Sequence, residues 1–597
     1  MLTIPSLFLD RVTRDPHSVS AWAQTPLPDD QFFLSHDDGS IDAPEGWTPA
    51  TYGQLHKQVA GLAKRLSSIG VRRGTPVAIW ANTSERWALV DIAIQCLGAI
   101  TVGIYPTLLD DQVHYQLKHS ETGVLLVDDD KKAIRALNMQ DELDDLSHIF
   151  SLNTGSAVPQ LTPARPELDW LAQEIKKVSV EHTSTYIYTS GTTGPPKAVV
   201  LTQHNFTSII EASRNRLPLY DGERSVIFLP LAHVLQRFTQ YRGLTDSAEG
   251  WFAPSIDALP ETLQIARPHV MATVPRMLEK IRAKIEKQAA SKGSNAHSVL
   301  EWAISVGQTV NDMKWRNHHV GLRLKLQHRL AERIVFSKIR DGMGGNLRLL
   351  ICGGAALDPE LATWFEAVGI AVREGWGLSE TTAPATLNGE HDFRFGTVGK
   401  PLDGTEVTIA DDGEILVRGP GVFQGYLKNE DATANAFTAD GLFKTGDLGV
   451  IEDEFVRIIG RKKEIIVTAG GKNIAPVPIE HAIEGGLIGQ AVIIGDNRPY
   501  LVALLTLDPE ILADRAREAD WSGEPEQWIQ KPDLIAEVQQ LMSNAMGNFA
   551  SFETVKKWSI LPHPFTEERG TLTPTLKLKR QHIQAHFADE IKALYEG

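Results

Sequence analysis

The chain has 597 residues, more than one hydrophobic core accommodates, because single cores stop growing near about 250–300 residues. Its 42% hydrophobic and 22% charged content is that of an ordinary globular protein. A net charge of −16 speaks against non-specific nucleic-acid binding, since a phosphate backbone demands a basic face.

The opening MLTIPSLFLDRVTRDP carries charge from Asp10 onward and lacks the basic-then-apolar order of a signal peptide. No apolar run approaches the ~18 residues of a membrane span. The longest, Ile92–Tyr105, is interrupted by Gln95. The expectation is a cytoplasmic protein without a transmembrane segment, with peripheral association with membranes left open. Cys96 and Cys352 lie far apart in apolar stretches and form neither a metal spacing nor a redox pair, so they read as small buried side chains.

From Thr51 the pattern alternates: Tyr52–Ser68 has helical periodicity, Pro76–Trp80 is a short apolar run, Ser84–Gly98 reads as helix and Leu125–Asp128 as a buried strand. Such alternation predicts helix-covered, largely parallel sheets. Residues 188–197, Tyr-Thr-Ser-Gly-Thr-Thr-Gly-Pro-Pro-Lys, put six small residues in a row, Thr189, Ser190, Gly191, Thr192, Thr193 and Gly194. Backbone N–H groups and hydroxyls can converge there on a phosphate, with Lys197 adding a cation at the edge. The spacing is not that of a Walker loop, and the alternating flanks predict a loop between two strands.

Residues 230–237, Pro-Leu-Ala-His-Val-Leu-Gln-Arg, offer His233 and Gln236 among apolar residues and no carboxylate. The charged stretch from about 279 to 337 reads as an inserted helical pair with a polar break at Ala290–Asn295. Strand Leu347–Cys352 then runs into Gly353-Gly354-Ala355, and a helix follows with Asp358 as N-cap and Pro359 at its first position. A second strand-to-loop passage runs from Ile370 to Glu380. Ligands bind at such loops in open α/β sheets. Glu406–Tyr426 reads as short strands with turns. Beyond Arg461 the chain becomes a smaller α+β unit, with strands near Glu464–Val467, Ala491–Gly495 and Leu501–Leu507 and a helix near Asp533–Met546. No H-E-x-x-H, C-x-x-C or G-x-S-x-G occurs, and Gly419-Pro420-Gly421 finds its next glycine at Gly425, one position late for a dinucleotide fingerprint.

Taken together, the string 188–197, Arg373-Glu374-Gly375-Trp376-Gly377-Leu378-Ser379-Glu380, Phe443-Lys444-Thr445-Gly446-Asp447, Gly460-Arg461-Lys462-Lys463-Glu464 and Leu572–Arg580 resemble, in order, the motifs of the adenylate-forming (AMP-binding) enzymes. The branch to which the chain is most similar is that of the long-chain fatty acyl-CoA synthetases. The resemblance spans about Thr51 to Arg580 and implies a large N-terminal adenylation domain, 1–460, and a small mobile C-terminal domain, 461–597, of overall α/β class. It implies ATP, Mg2+ and coenzyme A as co-substrates or cofactors, and a fatty acid as the carboxylate activated.

Carried onto this chain, the resemblance puts Trp376 and Gly377 against adenine with Gly353, Gly354 and Ala355, and Ser379 near the α-phosphate. Glu380 would hold magnesium, Asp447 the ribose hydroxyls, and Arg461 the nucleotide. The catalytic residues would be Ser379, His233 and Lys577, the last reaching the carboxylate and α-phosphate, and Lys463 would be the hinge. Trp376 and Ser379 stand where the family usually has Tyr and Thr, Leu442 where it has Trp, and Gln236 where the long-chain branch has Glu. An acyl-AMP ligase that loads a carrier protein, a luciferase-like oxygenase and a non-catalytic acyl- or nucleotide-binding protein are the competing readings.

Overall fold

The computed structural model describes residues 2–24, 43–189, 195–246, 248–566, 568–573 and 577–596, and counts below refer to these. The loop residues Ser190, Gly191, Thr192, Thr193 and Gly194 lie outside the described residues.

Helix starts follow local chemistry. The Thr51 hydroxyl accepts the Gln54 N–H at 3.3 Å while the Gln54 side chain accepts the Thr51 N–H at 2.7 Å, a reciprocal cap for Tyr52–Ser68. Asp358 accepts the Glu360 N–H at 2.9 Å and Pro359 opens the helix Pro359–Ala367, as the sequence predicts.

Two large sheets build the N-terminal body. A seven-stranded sheet has parallel strands Ile100–Ile104, Pro76–Trp80, Val124–Val127 and His148–Ser151 beside β1 (Thr183–Thr189), which pairs antiparallel with β2 (Lys197–Thr202). The two strands predicted to flank 188–197 are therefore present, with Thr189 opposite Lys197. A nine-stranded sheet has at its centre the parallel run Arg224–Ile227, Val270–Thr273, β3 (Leu349–Cys352) and β4 (Ala371–Trp376). A four-stranded antiparallel sheet follows, containing β5 (Phe443–Glu452) and β6 (Phe455–Arg461). The C-terminal part carries its own three-stranded sheet, Ile488–Ile494, Leu501–Leu507 and Val555–Leu561, with a separate apolar core beneath it. Cys96 and Cys352 are both free and buried.

The inserted region corrects the expectation of a helical pair. It holds three long helices, Pro275–Ser291, Ser294–Trp315 and α2 (Leu322–Ala331), the last running through a π turn at Glu332–Phe336 into Ser337–Gly342. Gly293 at φ +104° makes the first break, inside the polar stretch read from the sequence. The second follows Trp315, where Asn317 adopts φ +54°. Asparagine tolerates that conformation without glycine's sequence signal.

Helix α1 (Val234–Thr245) lies between the large sheets. It packs on Glu249–Phe252 and Val270–Thr273 of one, while its Arg237 donates to Thr185 Oγ1 of the other at 2.7 Å. Arg237 is fully buried, donates to the Leu231 carbonyl at 3.0 Å and stacks over Trp87. Nearby, Asp91 accepts the Thr101 hydroxyl and the Tyr241 hydroxyl, each at 2.6 Å. Gln95 ties Thr101 to the Ser184 carbonyl, with 3.0 Å to each. Asp91→Ala leaves two buried hydroxyls without their acceptor. We expect it to lower unfolding free energy by about 3 kcal/mol, measured by urea denaturation, with Asp91→Asn recovering part of the loss.

Candidate active site

The site is assembled from loops at the C-terminal ends of β3 and β4, from β5 and β6, and from the C-terminal segment around Lys577. After β3, the Gly353 N–H donates to the Thr273 carbonyl at 3.3 Å and Gly354 sits at φ +86°; Ala355 is exposed. A side chain on Gly353 would come 3.3 Å from the Gly375 carbonyl, so the two loops close on each other. Glu374 of β4 accepts the Leu357 N–H at 3.2 Å and pins the first loop to the second strand. Burial pushes its carboxyl up to about 8.

After β4 the chain turns sharply. A Cβ on Gly377 would lie 1.7 Å from the Ala383 carbonyl, so only glycine fits. Ser379 and Glu380 follow in a 3-10 turn, Ser379–Thr381. Glu380 accepts the Tyr426 hydroxyl at 2.9 Å, and the Lys197 ammonium stands 4.7 Å from the centre of the Tyr426 ring. Tyr426 thus joins the edge of the phosphate-type loop to Glu380. Nothing in the sequence pattern singles it out; pairing of Gly425–Tyr426 against β2 brings it there.

Asp447 is the centre of the charged groups. Its Oδ2 accepts Trp376 Nε1–H at 2.8 Å and its Oδ1 pairs with Arg461 Nε at 2.8 Å, while Asp447 and Arg461 are register partners on β5 and β6. Burial raises its pKa, opposed first by Arg461, then by the Trp376 hydrogen bond and Lys577. The indole at 376 has a use the sequence reading missed: its N–H orients the carboxylate, in addition to any face offered to a base.

Lys577 leaves a short hairpin in which the Thr573 N–H donates to the Lys577 carbonyl at 2.8 Å and the Lys577 N–H to Thr573 Oγ1 at 3.1 Å. The residue keeps solvent contact, yet the protein packed around its ammonium, with Arg461 next, lowers its pKa; Asp447, Glu464 and Glu380 pull the other way. Its field also reaches His233. Burial, then Lys577, depresses that imidazole to about 4, so it is neutral at neutral pH. His233 Nδ1 accepts the Leu235 N–H at 3.2 Å and caps α1. Gln236, one turn on, accepts the Leu229 N–H at 3.3 Å and donates to Thr239 at 2.9 Å.

The charge of Lys577 therefore acts together with Asp447, Arg461 and Glu380 and reaches His233, while Trp376 contacts Asp447 directly. Thr189 ends β1 opposite Lys197. Lys463 stands apart, exposed in the 3-10 turn Lys462–Glu464. Arg580, near Lys577 in sequence, is held by Glu480 and Glu464. Among the described residues no three His, Cys, Asp or Glu side chains form a metal cluster.

Behind the site runs a narrow, mostly apolar cavity along α1. Gln236, Ala272 and Ile351 line it near the glycine loops, and Gly243, Ala248 and Phe8 at the far end of the helix. Gln236 to Leu244 spans about 12 Å at the rise of an α-helix.

A large α/β body with a smaller C-terminal unit, and glycine loops meeting charged groups between them, is the architecture of the adenylate-forming enzymes. The adenylation domain of a Mycobacterium chelonae carboxylate reductase superposes with a TM-score of 0.77 at 18% identity, covering 100% of this chain and 91% of that one. The o-succinylbenzoate CoA synthetase of Bacillus subtilis, in complex with its acyl-adenylate, gives 0.67 at 18%, covering 98% and 99%. The chain belongs to the AMP-binding enzyme family, whose model matches residues 23–427, with the AMP-binding enzyme C-terminal domain matching 463–597. It is 38% identical over 565 residues to the long-chain-fatty-acid–CoA ligase FadD15 of Mycobacterium tuberculosis, covering 92% of each protein. It is also 30% identical over 612 residues to the long-chain-fatty-acid–CoA ligase ACSBG2 of Xenopus laevis, covering 92% of this chain and 80% of that one.

Trp376→Phe keeps an aromatic face and removes the N–H that Asp447 accepts. The buried carboxylate then takes up a proton more readily, and AMP affinity measured by titration calorimetry should fall about ten-fold, the equivalent of one charged hydrogen bond.

Proposed function

We propose that the chain is an ATP-dependent fatty acid–CoA ligase that makes acyl-CoA in two half-reactions. The observation that carries the reading is the buried Asp447 carboxylate, held by the Trp376 N–H and Arg461 and lying within the field of Lys577 from the C-terminal part. The apolar cavity ending beside Gln236 and Ile351 supports an alkyl acid as substrate.

In the first half-reaction a carboxylate oxygen bonds to the α-phosphorus of ATP, and the bond from that phosphorus to the oxygen bridging to the β-phosphate breaks. Acyl-AMP and pyrophosphate result. Lys577 supplies positive charge where the carboxylate and α-phosphate meet, which favours the crowded phosphorus of the transition state. Asp447 accepts from the ribose hydroxyls with lone pairs left free by Trp376 and Arg461. Gly353, Gly354, Ala355, Trp376 and Gly377 receive the adenine, Ser379 donates near the α-phosphate, and Thr189 to Gly194 with Lys197 hold the pyrophosphate end. Neutral His233 at the head of α1 borders the acyl group.

Glu380 is the carboxylate for magnesium. A carboxylate such as Glu380 would offer the hard oxygen ligand that ion takes. The bound ion would neutralise phosphate charge; Tyr426 orients Glu380 through its hydroxyl. In the second half-reaction the thiol of coenzyme A loses its proton to solvent, its sulfur bonds to the acyl carbonyl carbon, and the carbon–oxygen bond to AMP breaks. We place the domain boundary between 460 and 461 and the hinge at Lys463. The gap between the two family matches, 427 to 463, and the exposure of Lys463 support both assignments. Rotation about it would exchange Lys577 for another face of the small domain.

Mass spectrometry of products from a panel of carboxylic acids with Mg-ATP and coenzyme A tests the reading. Acyl-CoA is the expected product. Acyl-AMP without thioester would transfer the second step to a carrier protein, and neither product would leave a non-catalytic binding protein. Lys577→Ala should cut acyl-AMP formation at least about a hundred-fold while sparing thioester formation from supplied acyl-AMP, as separate pyrophosphate-release and thioester assays would read. Gly243→Leu adds bulk at the far end of the cavity, where a Cβ meets only the Ala248 Cβ at 3.8 Å. The longest acid accepted should shorten while kcat/KM for short acids stays near the parent value.

A further inference from the structure

The last long helix of the insert, α2, presents an apolar face to solvent. Leu322, Leu326 and Leu330 are 76%, 55% and 51% exposed, and Ile334 beyond them is 36% exposed. Steps of four residues keep such positions on one face of a helix. The opposite side is where α2 and the turn after it are buried, through Ala331 and Phe336. Scattered exposed leucines are ordinary, but a contiguous row is not.

The row is edged by cations. Arg323, Lys325, Arg329 and Arg333 are all exposed, and none has a carboxylate partner among the described residues. Between 322 and 338 the sole acid is Glu332, which pairs with Arg340. This concentration of positive charge sits on a chain whose net charge is −16.

We propose that this face of α2 docks on an anionic lipid bilayer. The leucines and Ile334 would sink below the headgroups while the Arg and Lys stems lie along the apolar surface and carry their charges to lipid phosphates. A second copy of the chain fits less well, because a two-fold contact through the same face would set these cations against each other. Nucleic acid would satisfy the cations but leave the leucines wet. The acidic remainder of the protein is repelled by the same surface, so docking through α2 also fixes orientation. The insert leaves strand Val270–Thr273, whose Val270 and Ala272 line the cavity. Docking would thus hold that body at a reservoir of membrane-dissolved acids, a consequence that rests on the fatty-acid reading, whereas the docking itself does not.

Flotation of the full-length protein with vesicles tests the proposal, using phosphatidylcholine alone and with about 30% phosphatidylglycerol. The parent protein should float with the anionic vesicles, far less with neutral ones, and be released by about 0.5 M salt. Leu326→Asp/Leu330→Asp should lose at least about ten-fold of the bound fraction. Lys325→Glu/Arg329→Glu, which leaves the apolar row intact, should lose a similar amount. Unchanged circular dichroism and unchanged turnover of a water-soluble short acid would verify folding in both. Equal flotation with neutral and anionic vesicles, or parent-like flotation of both variants, would overturn the proposal. So would a parent dimer in sedimentation velocity that the leucine variant abolishes while vesicle binding is absent.

Discussion

The carboxylate of Asp447 is the constraint on which the site depends. A buried acid is stable as an anion only with donors and cations around it, and here each oxygen has one fixed partner. Trp376 arrives from the nine-stranded sheet, Arg461 from the neighbouring strand of the four-stranded sheet, and Lys577 acts from the C-terminal part. One side chain therefore couples three parts of the molecule. Moving Lys577 away removes a cation that favours the Asp447 anion, so C-terminal position and charge at the proposed ribose-binding group are linked.

A second constraint sets the other wall. The buried Asp91, Gln95, Thr101 and Tyr241 network and the fully buried Arg237 hold α1 between the two large sheets. His233 at the head of that helix and the cavity along its flank inherit their positions from it. Gly103 belongs to the same design, since a side chain there would sit 2.5 Å from the Arg237 guanidinium. Polar burial of this kind is tolerable because most groups find partners, and it leaves the helix few alternative registers.

The surface of α2 belongs to a different layer of organisation. Its chemistry, leucines edged by cations with no carboxylate partner among the described residues, is set apart from an acidic body. The insert that bears it is continuous with a cavity-lining strand, so a surface property and an internal one share one excursion of the chain.

Much of the fold was legible in the sequence because it rests on short-range rules. Alternating apolar runs, the capping residue Asp358 and the glycine strings locate strands, a helix start and the two strand-end loops. The insert was legible as helical but not in its count, because Asn317 breaks a helix without glycine's signature. Most proposed site residues stand in recognisable strings, whereas Tyr426 does not. A lone tyrosine has no spacing to betray it, and only antiparallel pairing against β2 brings it to Glu380. The sequence by itself determined the family and the residue types at the site, since both are carried by local strings that backbone chemistry restricts. The tertiary structure alone decided that the Trp376 N–H orients Asp447, that Arg461 pairs with it and that an apolar cavity follows α1. Those contacts join segments far apart in the chain, and their geometry exists only once the sheets have packed.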